Sequence, residues 1–208
     1  MKIEAILFDL GKVIVDFDFE PGLQKLHAAS PLSRDEFEEI LWDEKCARRY
    51  ERGELSTSDF HAYLCDAANL KMDLTAFMNT WSSVFLPDLI VSEELLAALK
   101  RKYPLILVSN TNAAHIDFVR ANYRVLDYFD HLVLSYEVGS LKPDRGIFDR
   151  AIQVAGRPAE ALFFTDDREE NIAAARQLGI HAYQFNSESK LLDALQRAGV
   201  EIADFVGS

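Results

Sequence analysis

Short apolar runs ended by polar residues set the rhythm of this chain. The first, Ile3-Glu4-Ala5-Ile6-Leu7-Phe8, is closed by Asp9 and followed by Leu10-Gly11-Lys12-Val13. Strands covered on both faces show near-continuous hydrophobicity, so the run reads as a buried parallel strand. Residues 105–110, 132–135 and 162–167 repeat the design. Between about residues 20 and 85 the period turns helical. Ser33-Arg34-Asp35-Glu36 is a capping box, with Ser33 as N-cap and Glu36 three positions on. Phe37, Ile40 and Leu41 then recur at helical spacing, as do Phe60, Tyr63 and Leu64 after Ser56 and Ser58. Phe77, Trp81 and Phe85 mark another apolar helical face. The region is read as an all-helical insert of about four helices, without a strand.

Beyond the insert, helices and strands alternate. Helices are expected over 93–102, 113–122, 146–155, 169–178 and 188–198, and strands over 105–109, 131–135, 162–165 and 181–185. Such alternation predicts βαβ units, hence an α/β fold with a Rossmann-like parallel sheet flanked by helices and an inserted small helical bundle. Residues 1–16 and 88–208 form the expected core, and residues 17–87 the insert. Right-handed crossovers place all strand carboxyl ends on one edge, where ligands bind in open α/β sheets.

The 208 residues suffice for one such domain with its insert, and 49% hydrophobic content predicts a globular protein. The net charge of −12, with Lys and Arg spread along the chain, gives a nucleic-acid partner no electrostatic support. No apolar run approaches the roughly 20 residues that span a bilayer, so no membrane partner is expected. Cys46 and Cys65 show neither metal-site nor disulfide spacing and are read as reduced thiols in helices. An N-terminus that is a strand with an acidic residue inside it is no signal peptide, so a cytoplasmic enzyme is expected.

Chemistry collects at the strand ends. Asp9 is placed to act as a nucleophile, a metal ligand or a cap on the following turn. Gly11 permits close backbone approach, so its carbonyl can face a cation. Asp166 and Asp167 are adjacent carboxylates whose repulsion calls for a cation or donors; Mg2+ prefers such oxygen ligands together with waters and a phosphate. Asn171, one turn further, either braces a ligand or lies on the surface. Ser109-Asn110-Thr111 precedes a helix and reads as an anion site or as helix capping. Lys142, fixed by Pro143, can neutralise phosphate and the two Asp groups, or be a solvated loop lysine; Asp144 can cap the next helix.

Taken in order, these segments resemble the motifs of the haloacid dehalogenase-like hydrolase superfamily over nearly the whole chain. Phe8-Asp9-Leu10-Gly11-Lys12-Val13 looks like the first motif and Val108-Ser109-Asn110-Thr111-Asn112 like the second. Leu141-Lys142-Pro143 looks like the third, and Phe163-Phe164-Thr165-Asp166-Asp167 like the fourth. The insert is similar in position to the superfamily's helical cap. With Tyr50-Glu51-Arg52-Gly53-Glu54, the pattern resembles most the bacterial α-D-glucose-1-phosphate phosphatases and the N-terminal phosphatase domain of soluble epoxide hydrolase.

The resemblance implies a Mg2+-dependent phosphatase acting on a small phosphorylated metabolite, such as a sugar phosphate. Asp9 would form an aspartyl-phosphate, and Mg2+ would be held by Asp9, the Gly11 carbonyl and Asp167, with Asp166 as ligand or neighbour. Ser109 and Asn110 would hold phosphate oxygens, and Lys142 would offset transition-state charge. The assembly expected is a monomer or a homodimer. Gly11 departs from the superfamily's pattern, because most of its phosphatases carry an acid/base Asp there, although the relatives named above share the glycine. It implies a slow enzyme, a substrate with a good leaving group such as a sugar 1-phosphate, or substitution by Asp16, Asp18 or an insert residue. Alternatives are a 2-haloacid dehalogenase and a catalytically weak binding or regulatory member. Arg48, Arg49, Tyr50, Glu51 and Arg52 are candidates to face the substrate or to be a solvated charge run. Trp42 and Trp81 are assigned to the insert's core ahead of the alternative, sugar platforms, and none of the five histidines is read as a ligand.

Overall fold

The computed structural model describes residues 2–202. Its centre is a five-stranded parallel sheet. From one edge to the other its strands are β5 (His131–Leu134), β4 (Leu105–Ser109), β1 (Ala5–Phe8), β6 (Leu162–Asp166) and β7 (His181–Gln184). The central strands β1, β4 and β6 are buried at every position, which explains their lack of alternation. Successive side chains nevertheless serve opposite faces. Ile6, Phe8, Leu105 and Leu107 join one core and Ala5, Leu7, Ile106 and Val108 the other.

Helices cover both faces. α6 (Glu93–Lys100), α7 (Ala113–Asn122) and α11 (Glu188–Arg197) contribute Leu95, Leu99, Ile116, Val119, Leu191 and Leu195 to the first core. α9 (Arg145–Ala155) and α10 (Glu169–Gln177) contribute Ile147, Phe148, Ala151, Ile172 and Ala175 to the second. A short helix, α8 (Ser135–Val138), begins where the sequence reading extended β5. No helix among the described residues is long and apolar enough to cross a membrane.

The insert holds five helices among the described residues rather than about four: α1 (Glu20–Ala28), α2 (Arg34–Leu41), α3 (Glu44–Glu51), α4 (Thr57–Ala67) and α5 (Leu74–Ser82). Capping boxes start α2 at Ser33 and α4 at Ser56. Phe37, Leu41, Phe60, Leu64, Phe77 and Trp81 give the helices a core of their own. The insert's edges depart from expectation. β2 (Val15–Phe17) and β3 (Phe85–Leu89) pair antiparallel, so Phe85 lies in a strand and not on the helix face assigned to it. A three-residue strand facing one that contains Pro87 carries too little alternation to read, and Pro is tolerated in such an edge ribbon.

The segment after α3 is latched to the α/β layers. Ser135 Oγ donates to the Glu51 carbonyl at 2.7 Å, and Arg52 pairs with Asp144 at 3.1 Å. Asp144 is therefore an ion-pair partner, and it makes no side-chain cap bond at the start of α9. Gly53 has φ +73°, and a Cβ there would lie 2.0 Å from the Tyr136 carbonyl oxygen. Gly139 has nearly the same φ, +74°, but open space around it. Gly53→Ala should therefore destabilise by on the order of 1–3 kcal/mol more than Gly139→Ala, since both bear the left-handed backbone cost and only one adds a clash. Urea unfolding of the two variants checks this, and equal losses would show that the latch yields freely.

Candidate active site

Parallel register brings the polar strand ends together. Phe8 pairs with Thr165, and the Asp9 N–H donates to the Thr165 carbonyl at 3.0 Å, so Asp9 sits level with Asp166. On the other side Phe8 pairs with Leu107, two residues short of Ser109. The strand order runs away in both directions from β1, which makes this edge the sheet's topological switch point.

Lys142 reaches into this edge and is fully enclosed. Its Nζ lies 2.7 Å from Asp9 Oδ1 and 2.6 Å from Asp166 Oδ2. It is thus a buried ion-pair partner rather than a solvated loop lysine. Asn110 fixes it from the main chain: Nδ2 donates to the Lys142 carbonyl at 2.8 Å, and Oδ1 accepts from the Lys142 N–H at 2.7 Å. The Asn110 amide is therefore engaged with the lysine loop. Ser109 and Lys142 are buried beside it in the same cavity lining.

Asp166 is buried with both oxygens occupied. Oδ2 meets Lys142, while Oδ1 accepts from the Arg168 N–H and from Asn171 Nδ2, each at 2.9 Å. Asn171 is buried and braces Asp166, and its Oδ1 has no hydrogen-bond partner. Asp9 Oδ1 also accepts from the Leu10 N–H at 2.7 Å. Carboxylate oxygens of Asp9, Asp166 and Asp167 lie within 4.8 Å of one another, a group able to hold a metal ion.

Burial dominates the electrostatics of the group. Burial pushes the Asp9 carboxyl up to about 7, and Asp166 adds to the shift against the opposing Lys142. Burial and then Asp166 raise Asp167 as well. Burial alone would lower the Lys142 ammonium, but attraction to Asp9 and Asp166 overrides it and holds the lysine charged. A hard divalent cation is the natural complement of such oxygen donors.

The cavity here has a volume of about 280 Å3 and is lined by Asp9, Gly11, Ser109, Asn110, Lys142 and Asp167 on its polar side. Sequence reasoning missed most of its other wall. Phe17, Phe19, Trp42, Trp81, Phe85 and His115 line it too. Trp81 belongs to the insert's core as expected, but Trp42 is 41% exposed and opens onto the cavity instead. The aromatic density around residues 17–19 and at Phe85 was the available signal. Of residues 48–52, Glu51 lines the cavity, while Arg49 pairs with Glu54 and Arg52 with Asp144. Burial raises the Glu51 carboxyl. Asp16 is tied to Lys12, and the Asp18 carboxylate accepts from the Glu20 N–H; neither lines the cavity. At Gly11 an added Cβ would meet Phe17 Cε1 at 2.7 Å, so the ring fills the space of a side chain at that position.

His115 is buried with both ring nitrogens engaged, Nδ1 with Asn112 Nδ2 at 3.1 Å and Nε2 with the Trp81 carbonyl at 3.1 Å. Burial lowers its pKa to about 4.

A parallel sheet that gathers three carboxylates and a buried lysine at its switch point defines a hydrolase of a particular lineage. Residues 3–179 match the family model described as haloacid dehalogenase-like hydrolase, and the chain belongs to that family. It is 28% identical over 188 residues to a D-ribitol-5-phosphate phosphatase of Bacteroides thetaiotaomicron, covering 88% of this chain and 91% of that one. A pyrimidine 5'-nucleotidase of Escherichia coli is 26% identical over 208 residues, covering 91% and 89%. Among solved structures, a family enzyme of Bacteroides thetaiotaomicron in complex with magnesium and inorganic phosphate superposes with a TM-score of 0.75. It is 28% identical, over 89% of this chain and 95% of that one.

The His115 shift has a signed consequence. Between pH 6.5 and about 4 the unfolded chain holds a proton on this histidine that the folded chain refuses, so its contribution to stability falls as pH drops through that window. The size is on the order of 3 kcal/mol. Asp9, shifted upward, contributes a slope of opposite sign, so the difference between wild type and His115→Gln isolates the histidine. Urea unfolding at pH 7, 5.5 and 4.5 should show the wild type losing ground to the variant as pH falls; parallel curves would contradict a buried neutral imidazole.

Proposed function

We propose that the protein is a Mg2+-dependent phosphatase of small phosphorylated metabolites that works through an aspartyl-phosphate on Asp9. The observation that carries this reading is the Asp9, Asp166 and Asp167 cluster around a buried Lys142. Displacement of halide by a carboxylate needs no cation, whereas three carboxylates within 4.8 Å form a site for one. Two relatives named as a phosphatase and a nucleotidase, and a neighbour solved with magnesium and phosphate, support it.

Residue roles follow from what each atom already does. Asp9 Oδ1 is held by the Leu10 N–H and Lys142, which leaves Oδ2 to attack phosphorus in line with the leaving oxygen. Water then hydrolyses the acyl phosphate and frees Asp9. Mg2+ would be held by Asp9, Asp167 and the Gly11 carbonyl. Asp166, with both oxygens occupied, sits behind it as a brace. Bound there, the cation would neutralise phosphate charge and keep Asp9 and Asp167 ionised. Ser109 would receive phosphate oxygens with its hydroxyl, and Asn110 with its main-chain N–H, because its amide is engaged with Lys142. Lys142 offsets the charge that builds on the transferring group, the main demand in phosphoryl transfer. Residues 17–87 would act as the cap that closes over the edge.

Phosphate release from a panel of phosphorylated metabolites tests the reading. Turnover should require Mg2+, stop with EDTA, and fall by about 10³-fold or more in Asp9→Asn, which keeps the shape and removes the nucleophile. Release that persists in Asp9→Asn or in EDTA would refute the mechanism.

A further inference from the structure

The two sides of the cavity differ in kind. Opposite the charged centre in character is a continuous series of rings. Phe17 meets Phe19 at 5.1 Å between centroids, Phe19 meets Trp42 at 5.4 Å, and Trp42 meets Trp81 at 6.2 Å. Trp81 stacks on His115 at 5.4 Å, and His115 meets Phe85 at 5.2 Å.

The polar atoms in this wall are mostly occupied. Both His115 nitrogens are engaged, and the Asn112 side chain is committed to His115. Trp81 Nε1 is buried without a partner, so the ring presents no donor to solvent. The two cations at the margin are paired as well, Lys12 with Asp16 and with the Phe17 carbonyl, and Arg168 with Glu170. Glu51 adds one further carboxyl to the lining.

A polyol leaving water for this wall would lose hydrogen bonds at most of its hydroxyls, and few partners replace them. Ring faces gain by covering carbon. The partly exposed rings, Trp42 above all, are apolar surface that only an occupant would cover. The volume of about 280 Å3 lies at the small end for ligand pockets and leaves room for one ring-sized body beside a phosphate.

From the ring wall contiguous with Asp9 and Lys142, we infer that the preferred substrates are phosphomonoesters of compact apolar or aromatic alcohols, and that polyol phosphates are poor ones. The inference rests on the phosphatase reading and narrows its substrate class.

Benzyl phosphate and D-ribitol 5-phosphate decide the matter, because both are esters of primary alcohols and differ mainly in the body that meets the wall. With Mg2+ present, kcat/KM for benzyl phosphate should exceed that for ribitol 5-phosphate by about tenfold or more. Trp42→Ala should reduce that ratio by about tenfold, chiefly through KM for the benzyl ester, and Trp42→Phe should retain most of it. Equal or reversed preference in the wild type, or an unchanged ratio in Trp42→Ala, would overturn the inference.

Loss of all turnover, including with p-nitrophenyl phosphate, would count against the phosphatase reading instead. Binding then judges the wall separately. Trp42 and Trp81 are the chain's two tryptophans and both line the cavity, so their fluorescence reports occupancy. Saturable quenching by benzylphosphonate at concentrations where methylphosphonate has no effect would support an apolar chamber. Equal response to both, or none to either, would overturn it.

Discussion

The buried ammonium of Lys142 holds the carboxylate-bearing strand ends together. Each charge taken from water costs several kcal/mol unless it is paired and hydrogen-bonded, and here Lys142 compensates Asp9 and Asp166 at once. Two carboxylates against one lysine leave a negative charge, and Asp167 adds another when ionised. Burial, and after it the neighbouring Asp166, raises the carboxyls of Asp9 and Asp167, with Lys142 opposing the shift. Three carboxylates gathered around one ammonium form an oxygen cluster that could hold a divalent cation, and the proposed chemistry starts from that cluster. The bidentate bond from Asn110 to the Lys142 main chain belongs to this arrangement, because a lysine free to swing out would leave both carboxylates uncompensated.

What places those groups is register. β1 lies between β4 and β6, so the residue after Phe8 falls beside residues from strands about 100 and 157 positions away, an arrangement only a parallel sheet with helical crossovers provides. The latch from Ser135 and Asp144 to residues 51–52 does the equivalent for the insert, fixing Glu51 in the lining from the far end of α3. Ser135 also accepts from the Thr111 N–H at 2.9 Å, so a single buried hydroxyl ties the start of α8, the segment after β4 and the insert together.

The α/β layers and the charged residues were legible because their signals are local: a run of apolar residues, a carboxylate at its end, a glycine or proline next to it. The Phe8-Asp9 and Thr165-Asp166-Asp167 segments carry their chemistry within a few positions. The rest depends on contacts distant in sequence. Nothing near Asn110 announces that its amide will meet a main chain 32 residues on. His115 reads as an ordinary helix residue until Trp81 and Asn112 enclose it. The β2–β3 ribbon escaped because two short, irregular strands have no period to detect. Phe85 in particular fits a helical spacing from Phe77 and Trp81 yet continues the chain as a strand. Trp42 went the other way: its size suggested core, but the residue stands at the end of α2, where the chain turns toward the cavity.

Gly11 connects these observations. A side chain there would strike Phe17, so glycine at one position and the ring at the other occupy a single space. The contact that brings the aromatic wall up to Asp9 therefore also leaves no room for a side chain at position 11 unless the Phe17 ring shifts. General acid–base help is worth about 10²–10⁴-fold, so under the proposed mechanism either the leaving oxygen departs without it or another group supplies the proton. His115 is unsuited, since its nitrogens are engaged and its pKa is lowered to about 4. Among the lining carboxyls outside the Asp9 cluster there remains Glu51, raised by burial and held in place by the latch to Ser135. On the proposed mechanism the α/β layers would supply nucleophile and charge neutralisation, while the insert would supply both the wall that receives the alcohol and a protonatable group to face it. Substrate preference and leaving-group chemistry would then change together when the insert changes, with the Lys142 cluster untouched.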